Sequence, residues 1–282
     1  MGRLDGKVAI VTGAARGTGA EIARLFDSEG ASTTLVDVLD DRGEAVAKKL
    51  GDCARYRHLD VTSEREWRET VDEIRKREGH IDVLVNNAAV LHLATIDMTT
   101  VDAWERVLRV NCLGPFLGVR TVLPAMRASG GGSIVNIGSI DSVTGTSLTS
   151  AYTTSKFGLR GFTKVIALEN KRFGIRANVV CPAAGNPEMH PPIVGWEETQ
   201  RSPGRTAGRA ERSRPDQEDL QRPTYEDPER VNRGPSAVAP AVLYFASDES
   251  RLCNGTELVL DGAGSAGIHV ELPDRLYVTL EA

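Results

Sequence analysis

The chain has 282 residues, 40% of them hydrophobic and 26% charged, enough apolar content for one large α/β core. Its net charge of −5, with no basic stripe and no block of like charge, argues against nucleic acid as a partner. No apolar run is long enough to cross a bilayer, so no membrane partner is expected. The polar stretch Met1–Gly6 leads straight into a strand-like run and does not read as a signal peptide. Cys53, Cys112, Cys181 and Cys253 are far apart, which fits free thiols in a reducing cytoplasm. Neither they nor the five histidines have metal-ligand spacing, so no metal is expected.

Short apolar runs alternate with longer amphipathic stretches along the chain. Lys7–Val11 reads as a buried strand and Gly19–Gly30 as a helix with Ile22, Ala23, Leu25 and Phe26 on one face. Ser32–Val36 is a second strand, Arg42–Leu50 a helix and Tyr56–Leu59 a short strand. Ser63 caps a helix reaching about Glu78, with Glu66 as its reciprocal capping-box partner. Ile81–Val85 is a strand, and Val101–Ala128 is helical with an interruption near Gly114-Pro115. Strand Ser133–Ile137, helix Tyr152–Phe173, strand Arg176–Val180, helix Val238–Ala246 and strand Glu257–Leu260 complete the pattern. Such alternation predicts an α/β fold: a doubly wound (Rossmann) parallel sheet with helices on both faces, in one domain over 1–282.

One stretch breaks the alternation. Ten of the thirteen prolines lie between Pro182 and Pro240, and Glu197–Arg233 is dense in Arg, Glu and Asp. Such a segment buries little surface of its own, and 184–233 is expected to be a lid inserted after the sixth strand.

The candidate site has a cofactor end and a catalytic end. Thr12-Gly13-Ala14-Ala15-Arg16-Gly17-Thr18-Gly19 joins the first strand to the first helix. Gly13 permits the tight turn, Gly17 the approach of a pyrophosphate and Gly19 the close packing of helix on strand. Asp37 ends the second strand, where its carboxylate can accept hydrogen bonds from ribose hydroxyls and repel a 2′-phosphate, so NAD is expected over NADP. Arg16 pulls the other way, since an arginine there could meet a 2′-phosphate. Asp60-Val61 and Asn86-Asn87-Ala88-Ala89, at the next two strand ends, are expected to line the cofactor.

At the catalytic end, Tyr152 and Lys156 are one helical turn apart, Ser139 closes the fifth strand and Asn111 lies on the preceding helix. Moving a hydride to or from a carbon that bears oxygen requires a proton donor or acceptor. Tyrosine serves if a cation lowers its pKa from about 10. A charge pair at ~4 Å and an effective dielectric of ~20 supplies up to ~4 kcal/mol, about three pK units. Ser139 would hold the substrate oxygen, Lys156 would also hold the nicotinamide ribose and Asn111 a relay water.

Together these residues resemble the short-chain dehydrogenase/reductase family: TGAARGTG at 12–19, Asp37, Asp60-Val61, NNAA at 86–89, Asn111, Ser139 and YTTSK at 152–156. The resemblance extends to LVLDG at 258–262 and implies a seven-stranded parallel sheet, a Ser-Tyr-Lys core assisted by Asn, a cofactor contact at Pro182 and a homotetramer. Stretches 51–62, 130–140 and 148–161 are similar to bacterial 3α,20β-hydroxysteroid dehydrogenases, which implies a steroid or other bulky hydrophobic alcohol. The chain departs from the family pattern at Ala89, Ala183 and Pro187. The expected function is NAD(H)-dependent interconversion of a secondary alcohol and a ketone. The alternatives are an NADPH carbonyl reductase, against which Asp37 argues, and a non-catalytic dinucleotide sensor on the same fold.

Overall fold

The computed structural model describes residues 2–183, 187–194 and 234–266. It begins with β1 (Val8–Thr12), α1 (Gly17–Ser28), β2 (Ser32–Asp37), α2 (Asp40–Leu50), β3 (Ala54–His58), α3 (Glu64–Glu78) and β4 (Val83–Asn86). It continues through α4 (Val101–Leu108), a π-helical turn at Arg109–Leu113, α5 (Gly114–Ala128), β5 (Gly132–Ile137) and α6 (Ser150–Asn170). The last described elements are β6 (Ile175–Pro182), α7 (Pro235–Ala246) and β7 (Glu257–Leu260).

All seven strands pair in parallel, in the order β3-β2-β1-β4-β5-β6-β7. The order reverses between β1 and β4, and in a doubly wound sheet the crevice at that reversal is where ligands bind. Period-two side-chain alternation builds a core on each face. Ala9 and Val11 of β1 join Ile22, Ala23 and Phe26 of α1 and Val238, Val242 and Phe245 of α7. Val8 and Ile10 join Trp67 and Ile74 of α3, Leu117 and Val122 of α5 and Ile166 of α6 on the other face. Strand β3 is less apolar than its neighbours: it lies at the sheet edge and carries Arg55 and Arg57.

One local expectation needs correction. Ser63 does cap α3, accepting the Glu66 N–H, but Glu66 does not complete a capping box. The Ser63 N–H is already bonded to the Asp60 carbonyl at 2.9 Å, so the Glu66 carboxylate takes the Asp60 N–H at 2.7 Å and braces that strand end. The interruption between α4 and α5 falls at 109–113, just before Gly114-Pro115. Pro115 has no N–H to give the carbonyl four residues back, that of Asn111, and the Gly114 N–H bonds the Arg109 carbonyl instead. Of the expected lid, only 187–194 lies within the described residues.

Candidate active site

At the crevice, the loop 13–16 crosses from β1 to α1. Gly13 has φ +65°, and a Cβ there would lie 2.8 Å from the Ala88 Cα. A Cβ on Gly19 would lie 2.3 Å from the Gly13 carbonyl oxygen, so only glycine lets α1 approach this closely. Thr18, buried beside it, belongs to the same first turn. Gly17 opens α1 with Arg16 at the N-cap; no side chain caps the turn and no acidic residue lies in it. Those unpaired N–H groups and the positive dipole end fit an anionic pyrophosphate. The residues present therefore suit a dinucleotide.

Asn87 and Ala88 serve the site indirectly. The Asn87 Nδ2 donates to the carbonyls of Thr12 (2.8 Å) and Gly13 (3.1 Å), and the N–H groups of Asn87 and Ala88 both reach the Thr12 Oγ1 at 2.9 Å. These bonds lock the end of β4 to the glycine loop. Asp37 accepts the Ala15 N–H at 3.0 Å on one oxygen and the N–H groups of Val38 and Leu39 on the other. It thus shapes the loop as well as presenting a carboxylate to the crevice end of β2. Asp60 and Val61 follow β3; the Asp60 Oδ1 takes the Thr62 N–H, and the Val61 carbonyl takes the Trp67 indole N–H at 3.0 Å. Pro182 ends β6 opposite Leu260.

Ser139, Tyr152 and Lys156 converge at the carboxyl end of β5, all buried. The Lys156 Nζ donates to the Ile137 carbonyl at 2.7 Å and lies 5.4 Å from the centre of the Tyr152 ring. Burial pulls the Lys156 pKa down to about 8. Burial also pushes the Tyr152 phenol above its ordinary value; the Ser139 hydroxyl pulls it back, and the Asp141 carboxylate adds to the rise. This corrects the expected lowering by Lys156. Desolvation of the phenolate is the largest influence, and Lys156 is not among the groups that shift the phenol.

Asn111 lies in the π turn and is fully enclosed, at 1% exposure. Its Oδ1 accepts the Val90 N–H, and its Nδ2 donates to the Val90 carbonyl and to the Ser155 Oγ. Both amide hydrogens are engaged, so the Asn111 side chain has no donor left for a relay water. Asp141 is a residue that sequence reasoning missed. It is buried, its Oδ2 is 3.3 Å from the Ser139 Oγ, and its Oδ1 accepts from the Thr153 Oγ1 at 3.4 Å. An acid two residues after the candidate serine was the available signal. Val90, Leu91, Trp104 and Met189 pack around Val107, Ala151 and Tyr152, an apolar wall next to the tyrosine.

Residues 7–198 match the short chain dehydrogenase family. The chain belongs to the short-chain dehydrogenase/reductase family. This dehydrogenase is 40% identical over 270 residues to a 3-alpha-(or 20-beta)-hydroxysteroid dehydrogenase of Mycobacterium tuberculosis, covering 95% of this chain and 92% of the relative. It is 36% identical over 271 residues to a cyclopentanol dehydrogenase of Comamonas testosteroni, covering 94% and 100%. It is 34% identical over 274 residues to a trans-4-hydroxycyclohexanecarboxylate dehydrogenase of Sinomonas cyclohexanicum, covering 94% and 95%. A crystal structure of a short-chain dehydrogenase/reductase from Burkholderia xenovorans superposes with a TM-score of 0.78 at 30% identity, covering 95% and 100%. The chain is accordingly an oxidoreductase of the class that uses a nicotinamide cofactor. Among the described residues no helix is long and apolar enough to cross a membrane.

Proposed function

We propose that this dehydrogenase interconverts a secondary alcohol and a ketone with NAD(H), on a substrate whose reacting carbon lies in an apolar carbocycle. The observation that carries the reading is the burial of Ser139, Tyr152 and Lys156 together, beside an uncapped helix N-terminus at the sheet reversal. The three named relatives are all named for hydroxylated carbocyclic compounds, and the apolar wall of Val90, Leu91, Trp104 and Met189 suits such a skeleton. A steroid is the largest member of that class. Asp37 supports NAD over NADP by at least about tenfold, the equivalent of roughly 1.4 kcal/mol.

Gly13, Arg16, Gly17, Thr18, Gly19, Asp37, Asp60, Val61, Asn87, Ala88, Tyr152, Lys156 and Pro182 would hold the dinucleotide, which supplies or accepts the hydride when bound. The chain's own part is to handle the proton. The Tyr152 Oη gives its proton to the substrate oxygen in reduction and takes it back in oxidation. A phenol that burial keeps protonated suits the donor role. The Ser139 Oγ hydrogen-bonds the same oxygen, and the Lys156 ammonium offsets charge on the phenolate. The Asn111 carbonyl holds the water through which the proton is replenished. The free thiols among the described residues fit a reducing cytoplasm.

The test is NADH oxidation over a panel of cyclic ketones with wild type and Tyr152→Phe. Turnover should fall by about 10²-fold or more while NADH binding, read by fluorescence, is nearly unchanged. A variant with wild-type turnover on an accepted ketone overturns the assignment.

A further inference from the structure

The short helical turn Pro187–Met189 follows β6, yet its middle residue reaches the adenosine side of the crevice. One oxygen of Glu188, Oε2, accepts from the Arg16 Nη1 at 2.8 Å and from the Arg42 Nη1 at 2.7 Å. The Arg16 Nη1 also lies 3.4 Å from the Glu188 carbonyl oxygen. Arg16 is the N-cap of α1, and Arg42 lies in the first turn of α2. Between them Asp37 ends β2 and is bonded to Ala15. In a doubly wound dinucleotide site, the acid at the end of β2 marks the ribose 2′-oxygen, and arginines beside it receive a 2′-phosphate. Here two guanidinium groups stand at that place, and one carboxylate engages both.

Two guanidinium groups converging on a single oxygen are a phosphate-binding arrangement. We propose that Glu188 is a specificity-determining residue: it occupies Arg16 and Arg42, and so denies a 2′-phosphate the cations that would hold it. Asp37 alone would oppose the phosphate while leaving both arginines to attract it. Glu188 removes that attraction. Arg42, and after it Arg16, hold the Glu188 carboxyl below its usual pKa, so it stays ionised. The neighbouring residue, Met189, packs in the apolar cluster with Tyr152. Consecutive residues of one turn thus touch the adenosine side of the cofactor site and the wall of the substrate site.

This inference rests on the NAD reading, and the test separates the two. Binding of NADH and of NADPH is measured directly by fluorescence titration, which requires no turnover. The proteins are wild type, Glu188→Gln, Glu188→Gln with Arg42→Gln, and Asp37→Ser with and without Glu188→Gln. Glu188, Arg16 and Arg42 form exposed ion pairs, which contribute little to stability, so the fold should tolerate the Glu188 and Arg42 changes; melting temperatures check these and the Asp37→Ser variants. Glu188→Gln should tighten NADPH about tenfold in the wild-type or Asp37→Ser background while NADH changes less than about threefold. Adding Arg42→Gln should abolish the gain, and raising the salt should shrink it. If wild type prefers NADH but Glu188→Gln leaves the NADPH-to-NADH ratio unchanged in both backgrounds, the role of Glu188 is overturned and the NAD reading stands. If wild type binds NADPH as tightly as NADH, the NAD reading fails and the inference falls with it.

Discussion

Three buried ionisable side chains, Tyr152, Lys156 and Asp141, share one small volume, and desolvation and the Asp141 carboxylate shift the first two. An anion beside a phenol disfavours the phenolate, so Asp141 helps keep the proton on Tyr152. Asp141→Asn should therefore lower the Tyr152 pKa and move the acidic limb of the pH–rate profile for alcohol oxidation to lower pH. A limb that stays in place or moves upward excludes this role. Lys156 allows a test in stability. Its pKa is about 8 in the fold against an ordinary 10.5, so the folded chain binds this proton more weakly than the unfolded chain. The penalty, about 3 kcal/mol at most, is fully present below pH 8 and is relieved as the pH rises from 8 towards 10.5. Over that range wild type should gain stability relative to Lys156→Met, as measured by denaturant unfolding. Parallel pH profiles would contradict it.

At the scale of elements, the site depends on places where regular structure is interrupted. The π turn at 109–113 sits where Pro115 withholds a donor, and it turns Asn111 into a clamp on Val90 and Ser155. The glycine loop depends on close backbone approach. Gly19→Ala would press a methyl group to 2.3 Å from the Gly13 carbonyl oxygen and 2.6 Å from the Asn87 Nδ2, and the backbone carbonyl cannot swing aside as a free side chain would. It should destabilise the fold by roughly 1–3 kcal/mol and weaken NADH binding more than tenfold, because the first turn of α1 must shift away from the loop. A thermal melt and a fluorescence titration check the two effects, and a variant with wild-type values for both would refute the packing argument. The glycine spacing was legible in the sequence because it sits between a strand run and a helix run. The Asn87 bonds to Thr12 and Gly13 were not, because residues 75 positions apart meet only once β1 and β4 are paired.

At the scale of the molecule, α5 and α6 leave Phe116, Phe157, Val165 and Leu168 exposed, although both helices pack their other faces in the core. The homotetramer expected from the family would cover such side chains across a two-fold axis. Light scattering at micromolar concentration should give a multiple of the chain mass, and Phe157→Glu with Leu168→Glu should reduce it. A monomeric wild type would overturn the expected assembly.

Among the described residues, sequence alone determined the order of the strands and of the main helices, because the periods of two and 3.6 in apolar residues are local properties of the chain. It also singled out Gly13, Asp37, Ser139, Tyr152 and Lys156 as candidates, because each sits at a strand end or helix start that local pattern can locate. Tertiary structure decided what no local pattern encodes. It placed Asp141 against Ser139 and Tyr152, enclosed both amide hydrogens of Asn111, and brought Glu188 to Arg16 and Arg42 across 172 and 146 residues. Above all it set the charge balance of the site. The pKa of Tyr152 depends on how much water the surrounding elements exclude, and burial is a property of the packed whole rather than of any stretch of sequence.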